Sequence, residues 1–150
     1  MGEDRPGRGL AARFRRAHAD KEAARQAEAA AQAEREERAR EAAAALLVEL
    51  AAIGSDLGFV EVRTSDEGVL MGHEGRELAL RHGDGPGQLV VAGSGGDREA
   101  FLGRIYMEAA IGAKWVLAFQ HRRQEVRLPL FDAGLEELLV QGLGLERPDE

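Results

Sequence analysis

Hydrophobic and polar positions change rhythm along this chain. Leu46, Leu50, Ile53 and Leu57 fall at i, i+4, i+7 and i+11, a stripe along one helix face, and Gly58 supplies a left-handed stop behind it. From Phe59 onward the period shortens to alternation, the mark of half-buried strands. Phe59–Arg63 alternates after Val60, with 64–68 as its turn. Val69–His73 and Arg76–His82 flank Glu74-Gly75, a two-residue hairpin candidate that would pair His73 with Arg76 and set His82 opposite Glu67. The run Gly83-Asp84-Gly85-Pro86-Gly87 is a dense turn signal ahead of Gln88–Ala92. Adjacent segments of this kind read as a meander.

Gly93-Ser94-Gly95-Gly96 breaks the alternation. Asp97–Ile111 then reads as a helix: Leu102, Ile105, Tyr106 and Ala109 fit i, i+3, i+4, i+7, Asp97 caps it and Gly112 stops it. A period-two reading would set Arg104 and Glu108 beside Leu102 and Tyr106 on one face, which is the poorer fit. Ala113–His121, with Trp115, Leu117 and Phe119 on one side, and Glu125–Phe131, with Val126, Leu128 and Leu130, form a second strand pair. Pro129 places the latter strand at an edge or ends it early. Asp132 is the expected N-cap of a last helix, with Glu136 and Glu137 in its first turn and Leu135, Leu138, Leu139 and Leu143 as its buried stripe. The fold class expected is α+β: an antiparallel sheet of about six strands packed with three helices, preceded by a long N-terminal helix rich in Ala, Glu and Arg.

That N-terminal part obeys different rules. Between Met1 and Glu41 the only large apolar side chains are Met1, Leu10 and Phe14, so residues 1–41 form a basic leader and solvated helix, and 42–150 the globular domain. Ala, Glu, Arg and Gln are strong helix formers, and one helix is expected from about Ala11 to Leu57. The i,i+4 pairs Glu34/Arg38 and Glu36/Arg40 add a few tenths of a kcal/mol each, roughly 0.3–0.5. No heptad of large residues runs between Ala17 and Ala45, so a leucine-type coiled coil is not written here; a weaker alanine-mediated pairing is the alternative. Such a helix would run ~70 Å, against a radius of gyration near ~12 Å for the globular part. Its first half is expected to project, fold back or find a partner.

Charge divides at the same place. Residues 1–41 hold ten Lys and Arg against nine Asp and Glu, a net of +1; residues 42–150 hold ten against eighteen, a net of −8, and the whole chain carries −7. An acidic domain makes a poor nucleic-acid surface. The leader differs: Arg5, Arg8, Arg13, Arg15 and Arg16 surround Leu10 and Phe14, a candidate electrostatic foot on nucleic acid, an anionic surface or an acidic partner. Five arginines neutralising five phosphates imply a salt slope of roughly −4.5 on duplex DNA. The chain has no cysteine, which excludes disulfide and thiolate chemistry. Met-Gly-Glu-Asp-Arg-Pro lacks the apolar stretch of a secretory signal, and Ala42–Val48 is far shorter than the ~20 residues of a membrane span. A cytoplasmic protein is expected.

Candidate chemistry is sparse. Leu89–Gly96 before a helix resembles a dinucleotide-binding turn, where glycines let backbone N–H groups approach phosphate; Arg98 stands in the place of the third glycine, and Asp97 would repel phosphate. His73 and His82 lie about six residues apart along the ladder, ~20 Å at strand rise, too far to share an ion. His82-Gly83-Asp84-Gly85 offers one carboxylate, too few for calcium. Ser55, Ser65 and Ser94 lie in turns with no base beside them. No catalytic residue, cofactor or metal ligand is assigned.

In element order, residues 40–145 run helix, three or four strands, helix, two strands, helix. Carried by Leu57-Gly58-Phe59, the hairpins over Val69–Ala92, Asp97–Ile111 as the middle helix, and Trp115–Phe131 with Leu135–Leu143, this layout resembles the small α/β fold of bacterial type III secretion chaperones and the related YbjN-type proteins. The resemblance implies a small acidic dimer that binds polypeptide without catalysis; the long N-terminal helix does not belong to the pattern. The expected function is a non-enzymatic protein-binding module, adaptor or chaperone-like and self-associating as a homodimer, with Arg5, Arg8, Arg13, Phe14, Arg15, Arg16, Trp115 and Phe119 as partner-binding residues. The alternatives are a tethering or nucleic-acid-associated factor acting through residues 5–16, and a nucleotide-binding protein or enzyme using 93–97.

Overall fold

The computed structural model describes residues 7–96, 99–108 and 114–148. The chain comprises two compact units, Met1–Glu37 and Arg38–Glu150. Helix α1 spans Arg8–Asp56, starting three residues before the expected Ala11. In the first unit every described large apolar side chain is exposed, Leu10 at 47% and Phe14 at 67%. In the second unit the last turns of α1 bury Ala43, Leu46, Leu47 and Leu50. Gly58, at φ +78°, follows the helix, and the Leu57 and Gly58 N–H groups donate to the Gly54 and Ser55 carbonyls. The stripe at 46, 50, 53 and 57 therefore docks as its spacing requires.

Seven strands follow: β1 Glu61–Thr64, β2 Gly68–His73, β3 Arg76–His82, β4 Leu89–Gly95, β5 Phe101–Glu108, β6 Lys114–His121 and β7 Gln124–Pro129. They form one antiparallel sheet in sequential order, a pure meander. The sheet thus has seven strands where about six were expected. His73 pairs with Arg76, and the His82 N–H donates to the Glu67 carbonyl, as the Glu74-Gly75 turn demanded. Pro129 closes the edge strand β7, where a missing N–H costs no ladder bond.

Register sorts the side chains into two faces. Val69, Leu80, Val91, Gly103, Phe119 and Val126 occupy one cross-strand row, and Leu89, Ile105, Leu117 and Leu128 the next. These rows, with α1's buried stripe and the second helix, α2 (Leu135–Leu143), make the core. The opposite rows read Arg63–Leu70–Ala79–Ala92–Leu102 and Arg81–Val90–Arg104–Ala118–Arg127. Leu102 there is 67% exposed.

The middle helix expected over Asp97–Ile111 is not formed. Residues 101–108 are β5, paired on both sides; the cap Asp97 and the stop Gly112 lie outside the described residues. Two helices are therefore present among the described residues, not three, and the element order that carried the chaperone-type resemblance lacks its central member. The physical reason is the open face. Phe101 and Ile105 turn into the core while Leu102, Arg104 and Tyr106 turn outward, so a mixture that looks frustrated for a two-sided burial costs little where one side meets water. Gly103 aids the pairing: the Phe119 side chain stands opposite it, and Phe119 packs on Phe101 with ring centroids 5.3 Å apart.

The entry to α2 also differs from expectation. Asp132 does not cap it; residues 130–134 form an irregular wide turn, with Asp132 at φ −125°, ψ −116°, and no side chain caps the helix. Gly134 is needed there because a Cβ would lie 2.7 Å from the Pro129 carbonyl oxygen. Glu136 and Glu137 do occupy the first turn, and Leu135, Leu138, Leu139 and Leu143 all join the core.

Arg76 seats the far end of α2. It is the one buried charged residue among those described, and its guanidinium donates to the carbonyls of Gly142 (3.3 Å), Gln141 (3.2 Å) and Gly95 (2.7 Å). The last carbonyls of a helix lack internal partners and carry its negative end, so a forked cation satisfies both needs at once.

Candidate functional site

The residues expected to bind a partner are divided between the two units. Arg8, Arg13, Phe14, Arg15 and Arg16 are exposed on the first turns of α1; Arg5 lies outside the described residues. Trp115 is half-buried against the core and Phe119 is buried inside it, so Phe119 presents no contact surface and is corrected to a core residue. Its place was legible in the alternation Trp115, Leu117, Phe119; what the alternation could not tell was which face is covered.

A concave site lies elsewhere, where the Gly58–Phe59 exit from α1, the β2–β3 turn and the end of α2 meet. A groove of about 600 Å³ is walled by Leu57, Phe59, His73, Leu139, Val140 and Leu145. A second hollow of about 670 Å³ continues from it over Glu61, Glu77 and Ser94, sharing Phe59, His73 and Glu74. Both volumes fall in the ~300–1,000 Å³ range of ligand clefts. Phe59 is out of phase with the alternation that starts at Val60, and its ring stays 57% exposed. It stands edge-on to His73, with centroids 5.1 Å apart and planes at 62°. An exposed phenyl ring beside a glycine turn was the sequence signal for this site, and it reads equally well as a plain junction.

The rim is acidic. Glu74 and Glu146 flank the groove, and Glu61 and Glu77 line its continuation. Glu74 lies 3.7 Å from the His73 Nε2. Glu136 is partly answered by Arg147 at 3.6 Å, while Arg147 makes its shorter pair, 2.6 Å, with Glu137. The hydrogen bond from Arg147 holds the Glu137 carboxyl below its ordinary range. Arg76, the nearest cation of the hollow, is committed to carbonyl oxygens. The groove is therefore apolar at its floor and negative at its edge.

The uncovered sheet face is a second surface. Val90 and Leu102 are exposed there beside the smaller Ala79 and Ala92. Three of its charges form one cluster: Glu125 pairs with Arg104 at 3.1 Å and Arg127 at 3.4 Å, and Arg104 lies 5.1 Å from the Tyr106 ring centre. The hydrogen bond from Arg104, then that from Arg127, lowers the Glu125 carboxyl pKa.

The glycine run 93–96 does not form a phosphate turn. Gly93, Ser94 and Gly95 belong to β4 and pair with Leu78, Glu77 and Arg76, and the next element among the described residues is strand β5, not a helix. Among the described residues no three His, Asp or Glu side chains converge as metal ligands, and no helix is long and apolar enough to cross a membrane.

No family model, curated protein or solved structure matches the chain.

Proposed function

We propose that this chain is a non-enzymatic protein-binding module, of adaptor or chaperone type, that takes a basic, apolar polypeptide segment into the groove beneath Phe59 and associates with itself. One observation carries the reading: a contiguous cleft with Leu57, Phe59, Leu139 and Leu145 on its walls and carboxylates on its rim. Covering apolar surface contributes about 25 cal/mol per Å², which supplies affinity. The rim carboxylates supply choice, favouring cationic segments and rejecting acidic ones. The support comes from this cleft and not from the chaperone-type layout.

The test is binding of fluorescent amphipathic peptides, one basic and one acidic, to the full chain. The basic peptide should bind, weaken with salt and lose its affinity in Phe59→Glu. Equal binding of both peptides, or binding indifferent to Phe59→Glu, overturns the reading.

A second reading rests on the arginines of residues 8–16, a stretch with no acidic residue. In it the segment tethers the protein to an anionic surface or nucleic acid. Salt-sensitive retention on DNA or anionic vesicles, lost when residues 1–41 are deleted, would favour it.

A further inference from the structure

The start of α1 and the groove of the second unit have matching deficits. Leu10, Phe14 and Ala17 fall at i, i+4 and i+7 on one helix face, and Leu10 and Phe14 are the exposed large apolar side chains among the described residues of that unit. Arg13 adjoins this face three residues after Leu10, and Lys21 continues it seven residues after Phe14. Four arginines occur between Arg8 and Arg16, and the first turn of α1 has no acidic residue. A helix N-terminus carries positive partial charge and is stabilised by carboxylates; here arginines aggravate that charge. The groove has the converse composition, with apolar walls and the carboxylates of Glu74 and Glu146 at its edge.

We infer that the groove of one chain receives the Leu10–Phe14 face of a second copy, with Arg13 and the positive helix end set against the Glu74 and Glu146 rim. The inference rests on the protein-binding reading of the groove and names its occupant. The contact is of the helix-in-groove kind, in which anchors one turn apart fill an apolar cleft. Every chain carries both the segment and the cleft, so each copy has one to give and one to receive with.

Light scattering and sedimentation of the full chain, over a concentration series, test it. The wild type should be a dimer. Phe14→Glu and Phe59→Glu alter exposed residues and should leave the circular dichroism spectrum unchanged. Each should raise the dimer dissociation constant by at least about tenfold. An equimolar mixture of the two variants should regain dimer, because the intact segment of Phe59→Glu fits the intact groove of Phe14→Glu. A monomeric wild type, or a dimer indifferent to both substitutions, overturns the inference.

Peptide binding separates this inference from the broader reading. A labelled peptide of residues 8–21 and an unrelated basic amphipathic peptide of equal charge are titrated into the full-length Phe14→Glu chain. If the unrelated peptide binds, its binding is removed by adding Phe59→Glu, and the 8–21 peptide does not bind, the self-association contact falls and the module stands. If neither binds, both fall. If Phe14→Glu abolishes retention on anionic vesicles or DNA while the wild type is monomeric, the segment is a tether and the inference falls.

Discussion

The backbone of Gly142 occupies the space a side chain on Gly93 would need: a Cβ built on Gly93 lies 2.9 Å from both the Cα and the carbonyl oxygen of Gly142. Helix α2 thus rests directly on β4, and the end of α2 forms one wall of the groove. A Cβ on Gly142 would in turn meet the Leu78 Cδ1 at 2.6 Å. Gly93→Ala should destabilise the chain by about 2–3 kcal/mol, the upper part of the overpacking range, because the opposing atoms are backbone. Gly142→Ala should cost less, about 1–2 kcal/mol, since Leu78 can turn aside and alanine favours the helix. Urea denaturation of the two variants gives both values and their order.

Arg76 holds the same helix end from below. Arg76→Met leaves the Gln141 and Gly142 carbonyls without their donor and should cost about 2–3 kcal/mol. Arg76→Lys should recover only part of that, because one ammonium does not reproduce the fork that reaches carbonyls on two elements. Chemical denaturation measures the loss. Faster amide exchange over 140–145 than elsewhere would locate it at the end of α2.

The β6–β7 hairpin turns on Arg122 and Arg123, both at positive φ (+51° and +67°), a conformation that glycine and asparagine tolerate better than arginine. The double substitution Arg122→Asn, Arg123→Gly should stabilise the chain by about 1 kcal/mol by relieving that turn. A higher melting temperature with unchanged oligomeric mass is the expected result. An unchanged melting temperature would show that the arginines offset the strain through contacts of their own.

Glu137 titrates with a depressed pKa because Arg147 donates to its carboxylate, with Gln141 adding to the effect. A depressed carboxylate contributes stability that is present above its unfolded pKa, about 4.3, and disappears as pH falls through the lower folded value. Arg147→Gln should therefore be less stable than wild type at pH 7, and the difference should shrink below about pH 4.3. Half of the Arg147 side chain is in solvent, so the gap at neutral pH should be small and should narrow further at high salt. Denaturation series at stepped pH check both the sign and the window.

Much of this architecture follows from one-dimensional pattern. The stripe 46, 50, 53, 57, the stop at Gly58, the Glu74-Gly75 hairpin with its register, and the closing strand pair and helix are all local: period and turn chemistry specify them before any long-range contact forms. Alanine, glutamate and arginine likewise dictate a helix in the first unit, where large apolar side chains are scarce. Only the tertiary structure decided the state of residues 101–108. Leu102, Ile105 and Tyr106 satisfy a helical period, and a strand prevailed because its neighbours β4 and β6 supplied two ladders of backbone hydrogen bonds and its mixed face was left to water. The seat of α2 was equally invisible, since Gly93, Gly142 and Arg76 lie far apart in sequence and meet only when the fold stacks them. So too with the groove. Leu57 and Phe59 are far in sequence from His73 and farther from Leu145, and what makes them a site is their convergence at one sheet corner, a property of packing that no local pattern encodes.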